Sequence, residues 1–217
     1  GLADHVPREP GRRRELGAYG PAELRARWIE TCRAMAAQLG ASDPDRRLPW
    51  FGPDMGVRMF TTARLMETWA HGQAVYDLAG VSRVPTDRLR HIATIGVKTF
   101  GWTFANRRLE KPGPPPYVRL VAPSGALWEW NEPSERECIR GDALEVCQVV
   151  AQTRNVADTK PEVVGPVATR WMSIAQCFAQ RHRERVGFFS ARATCAPYAQ
   201  LRARQARYQL GQCRTHQ

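Results

Sequence analysis

No apolar run in these 217 residues approaches the roughly 20 that a membrane-crossing helix needs. Residues 1–20 are basic and rich in Pro and Gly, which is not the composition of an apolar export signal. The expectation is a cytoplasmic chain with no membrane partner. No two of the six cysteines (Cys32, Cys138, Cys147, Cys177, Cys195 and Cys213) form a Cys-x-x-Cys pair. Without an export signal, that spacing favours reduced thiols over a disulfide framework or a cysteine zinc site. The sequence also lacks Gly-x-Ser-x-Gly, a Walker loop, Gly-x-Gly-x-x-Gly and His-Glu-x-x-His, so hydrolase and nucleotide-binding readings have no motif to stand on. Acidic residues are scarce at one end. Residues 181–217 hold eight arginines against a single acid, which accounts for most of the formal net charge of +11. The body is only mildly basic, and a nucleic-acid partner would be held by the tail.

What is present falls into four parts: an unpacked basic leader (1–20), a helix-bundle part (21–86), an α+β domain (87–179) and a basic, disordered tail (180–217). From Pro21, Leu24, Trp28, Cys32, Met35 and Leu39 recur at helical steps and lay one apolar stripe along a helix ending near Gly40, which has to pack on something. A connector over 41–56 carries Trp50 and Phe51 as anchors. A second helix is expected over 57–79, closed by Gly80, and a third over about 87–106 with Leu89, Ile92, Ile95, Thr99 and Trp102 inward. Lys111-Pro-Gly-Pro-Pro-Pro116 breaks the chain, and the period then falls from about 3.6 to 2. A hairpin is expected through Tyr117–Val121 and Leu127–Trp130. A third strand over 135–140, a helix capped by Asp142, a short strand at Val163 and Val164, and a helix from Pro166 through Phe178 complete the α+β half.

On the second helix, Phe60, Ala63, Glu67, Ala70, His71, Ala74 and Leu78 fall along one stripe, with Glu67 and His71 interrupting its apolar character. Two readings stand. An inward carboxylate is costly unless paired or bound to a cation, and an i, i+4 Glu/His pair sits side by side at chelating distance. Alternatively, Glu67 pairs with Arg64 and His71 is a satisfied core histidine. Trp69, Trp102, Trp128 and Trp130, near Arg107, Arg108 and Arg119, also divide between core packing, which their spacing favours, and base stacking.

The stretch LPWFGPDMGVRMFTTARLMETWAHGQAVYDLAG resembles the last bundle helix of the mycothiol-dependent maleylpyruvate isomerase family, one of the DinB-like metal-binding bundles. The Arg-Leu-Met-Glu-Thr-Trp-Ala-His-Gly-Gln core shared by its members is residues 64–73 here, and the resemblance runs on to about Ala179. It implies an α+β protein: a partial DinB-like antiparallel helix bundle followed by a small α+β domain. It further implies a divalent metal, usually zinc, held by an early-helix histidine together with Glu67 and His71. Mycothiol is implied as the thiol and an unsaturated acid as the small-molecule substrate, the metal stabilising a thiolate. His5, His91, His182 and His216 match no ligand position of the family. With Gly1 in place of Met and no early helices before Pro21, the chain reads as an N-terminally shortened member, with apolar faces that favour a homo-oligomer.

The segment Asp158–Ala179 is similar to a short tail labelled for wyosine-base formation, a tRNA modification, but the closely spaced three-cysteine cluster of that radical chemistry is missing. The sequence therefore leaves three readings: a metal- and thiol-dependent isomerase or transferase, a non-catalytic metal-binding or interaction protein, and an RNA-linked role carried by the tail.

Overall fold

The computed structural model describes residues 18–49 and 54–177. Most of the expected leader, the anchors Trp50 and Phe51, and the tail from 180 onward lie outside the described residues. Those described form six α-helices and a four-stranded mixed sheet, the α+β architecture expected.

Helix α1 (Pro21–Gly40) starts with Pro at its first turn, where the missing N–H costs nothing. None of its residues is buried, and Trp28 is 58% exposed. The apolar stripe is present, but no element among the described residues covers it. The expected connector contains a small antiparallel pair, β1 (Arg47–Leu48) with β2 (Met55–Gly56), tied by Arg47 donating to the Asp54 carbonyl.

Helix α2 (Val57–Ala79) ends as expected at Gly80, whose φ of 65° is left-handed backbone that glycine adopts without strain. Its buried face is Val57, Ala63, Met66, Trp69 and Gln73. The expected stripe shares only Ala63 with that face. Met66 and Trp69 offer far more apolar area than the alanines of the predicted stripe, and they turn the helix so that Glu67 and His71 lie off the core.

The expected third helix is two: α3 (Leu89–Lys98) and α4 (Phe100–Ala105). Thr99 separates them, its hydroxyl donating back to the carbonyls of Ile95 and Gly96 at 2.7 and 3.0 Å, a local bond that competes with helix continuation. Leu89, Ile92 and Ile95 are buried as expected, whereas Trp102, beyond the break, is exposed.

After the Pro-rich break, β3 (Tyr117–Val121) and β4 (Leu127–Trp130) form the expected antiparallel hairpin. The third strand, β5 (Cys138–Asp142), begins later than expected and pairs parallel to β3, while β6 (Glu162–Val164) closes the order β4-β3-β5-β6. Helix α5 (Ala143–Val150) is capped by the Asp142 carboxylate, which accepts from the backbone N–H groups of Leu144 and Glu145. Helix α6 (Pro166–Ile174) stops short of the expected Phe178, the chain turning extended at Ala175.

One continuous core crosses the expected boundary at residues 86 and 87: Ala63, Met66 and Trp69 of α2 belong to the same cluster as Ile92, Phe104, Ile139, Val150 and Trp171. Helix α2 is thereby fixed against α3 and the α/β layer, with its opposite side open among the described residues.

Candidate metal centre

Glu67 and His71 stand one turn apart on that open side. At about 100° per residue, His71 is rotated about 200° from both Trp69 and Gln73, the residues that seat the helix. It is accordingly 84% exposed, and Glu67 is 37% exposed. Glu67 Oε2 lies 3.1 Å from His71 Nε2, so the two side chains meet each other, and no Glu67–Arg64 ion pair is present among the described residues. The core-histidine reading is therefore corrected: His71 faces outward.

The donor set suits a hard or borderline divalent cation. Two ligands at about 2.0–2.1 Å on one tetrahedral ion are about 3.3 Å apart, close to the separation found here. The pair stands alone, since no group of three or more His, Cys, Asp or Glu side chains is placed to hold an ion among the described residues. His91 is exposed on α3, and His5, His182 and His216 lie outside the described residues.

Two thiols are buried in the core, and one of them, Cys177, feels the Glu67 charge. Cys147 and Cys177 are fully buried. Burial pushes the Cys177 thiol up to about 12, with the Glu67 carboxylate adding to the rise, and it pushes Cys147 further still. Both are held protonated at neutral pH and do not offer thiolates. The influence of Glu67 on Cys177, 110 positions away in sequence, has no local signature.

The next turns of α2 hold a polar cluster that sequence reasoning missed. Asp77 accepts from Arg154 through both guanidinium arms, at 2.9 and 2.7 Å, and from Gln73 Nε2 at 3.0 Å. The Arg154 bonds hold the Asp77 carboxyl below its ordinary value against the opposing effect of burial, and Gln73 adds to them. Arg83 reaches back over the helix, donating to the Trp69 carbonyl at 2.8 Å with its guanidinium about equally far from the Trp69 and Tyr76 rings.

Residues 3–76 match the family model of the mycothiol maleylpyruvate isomerase N-terminal domain, a stretch that includes both Glu67 and His71. Two relatives from Mycobacterium tuberculosis, the uncharacterized proteins MT0041 (strain CDC 1551) and Rv0036c (strain H37Rv), are each 42% identical over 165 residues, covering 76% of this chain and 64% of their own length. The chain thus spans less than two thirds of these relatives. None of these names mentions a metal or wyosine chemistry, and no solved structure matches. The sequence from 3 to 76 therefore matches the mycothiol maleylpyruvate isomerase N-terminal domain, and the chain is homologous to Rv0036c of M. tuberculosis.

Proposed function

We propose that the chain is a divalent-metal-binding protein of the mycothiol-dependent maleylpyruvate isomerase type, with Glu67 and His71 supplying two ligands to one ion, zinc being the best suited. The observation that carries this reading is the carboxylate–imidazole contact of 3.1 Å, on an open helix face within the matched domain. When bound, the ion supplies Lewis acidity and stabilisation of a thiolate, the chemistry of a thiol-dependent isomerase or transferase using a low-molecular-weight thiol such as mycothiol. Glu67 and His71 would hold such an ion: Met66 and Trp69 fix the α2 backbone that carries them, with His71 exposed and Glu67 part-exposed, so a thiol and a small acid could approach from the His71 side. The remaining coordination positions fall to water or to groups outside the described residues.

A second reading, a metal-binding or interaction protein without catalysis, is favoured by the presence of only two donors among the described residues. Elemental mass spectrometry on the gel-filtered chain, beside His71→Ala prepared identically, tests the proposal. Near-stoichiometric zinc that disappears in the variant is expected. Metal-free protein in both samples would sink it. Turnover of an unsaturated acid with added thiol then separates the enzyme from the non-catalytic binder.

A further inference from the structure

Between the last turns of α2, the loop that follows it and helix α5 lies an open cleft of about 410 Å³, lined by Gln73, Tyr76, Arg83, Leu144, Gln148 and Arg154 among others. That volume is within the range of small-molecule sites. Two guanidinium groups and one carboxylate, Asp77, enter it. Asp77 is fully engaged, gripped by both arms of Arg154 and by the buried Gln73 amide, so it neutralises Arg154 and leaves the cleft with one uncompensated cation.

That cation is Arg83. It has no ion-pair partner among the described residues, and its one hydrogen bond there runs from Nη1 to the Trp69 carbonyl. The guanidinium carbon sits 5.3 Å from the centroid of Trp69 and 5.2 Å from that of Tyr76, so two rings and a carbonyl fix the orientation of the fork. Burial pulls its pKa below the ordinary arginine value, a penalty that a bound anion relieves. Around it, Tyr76, Val81 and Leu144 give the cleft an apolar wall, while Ser82 and Gln148 add hydrogen-bonding groups.

We propose that this cleft binds a small organic monocarboxylate, with Arg83 holding the carboxylate and the Tyr76, Val81 and Leu144 wall holding the apolar body. One uncompensated cation matches a single negative charge better than a phosphate dianion. The wall favours an anion with a hydrocarbon or aromatic part over an inorganic one. The site requires no metal, and it stands or falls separately from the Glu67–His71 reading.

The test is a calorimetric titration of the full chain with benzoate, with benzamide as its neutral counterpart, and with inorganic phosphate. Saturable benzoate binding in the millimolar range is expected, about tenfold or more tighter than benzamide and tighter than phosphate. Arg83→Gln should weaken benzoate by about tenfold or more. Since Arg83 also ties the loop to α2, Gln148→Trp provides a second variant, filling the cleft while leaving Arg83 in place, and it should abolish binding in a chain whose circular dichroism is unchanged. The proposal is overturned by any of five results: no saturable benzoate binding, benzamide binding equally well, phosphate binding more tightly, or benzoate affinity surviving either Arg83→Gln or Gln148→Trp.

Discussion

Arg154 meets Asp77 from 77 positions away and closes the seam between α2 and the segment after α5 with two hydrogen bonds, at 2.9 and 2.7 Å. Asp77 is part-exposed, so solvent screens the pair, and a contribution of about 1 kcal/mol is the appropriate scale. The sign of its pH dependence follows from the depressed carboxyl. Stability from this group is fully present above the unfolded-state value of about 3.9 and is lost as pH falls through the lower folded-state value. Urea unfolding should therefore show Asp77→Asn less stable than the parent by about 1 kcal/mol at pH 7, with the gap closing below about pH 4. This pair was not legible in the sequence, because nothing local links the two residues. The Glu67–His71 contact was legible, because i, i+4 spacing on a helix dictates it. Which way the pair faces was not. Ala63, Ala70 and Ala74 fit an inward or an outward stripe equally, and the side chains that decide, Met66 and Trp69, do so through area buried against residues distant in sequence.

At the level of elements, the ends were readable wherever a special residue enforces them: Gly80 closing α2, Asp142 capping α5, Pro166 opening α6. The change of period after Pro116 also located the hairpin. The parallel pairing of β3 with β5 was hidden, since alternation reports a strand and not its neighbour. The packing of α3 on α5 was equally hidden, and it rests on Gly96. A Cβ at that position would come within 2.8 Å of Val150 Cγ2 and 3.1 Å of both Cβ and Cγ1, and the β-branched side chain has little room to rotate away. Alanine gains about 1 kcal/mol of helix propensity over glycine, yet overpacking a buried contact costs about 1–3 kcal/mol. Gly96→Ala should thus be net destabilising by about 1 kcal/mol in denaturant melts. Adding Val150→Ala removes the clash, and the double variant should lose less than the sum of the two single changes.

For the molecule as a whole, the described residues divide into a well-packed half and an uncovered one. The core runs from α2 through α3 to the mixed sheet and α6, whereas α1 contributes nothing to it. Among the described residues, this 20-residue helix keeps Leu24 and Trp28 in solvent and only half-buries Cys32, Met35 and Leu39, so its apolar stripe is available to other copies. Val75, Leu78 and Val81 near the end of α2 are likewise exposed. The purified chain is therefore expected to self-associate, with a sedimentation coefficient that rises with concentration. Leu24→Glu combined with Trp28→Glu should shift it toward the monomer. Because those positions bury nothing in the core, the same double change should leave the unfolding free energy of the packed half within about 0.5 kcal/mol of the parent. A double variant that instead unfolds the whole chain would show that α1 is an integral part of the core, and a parent that stays monomeric at high concentration would show that its stripe is not an association surface.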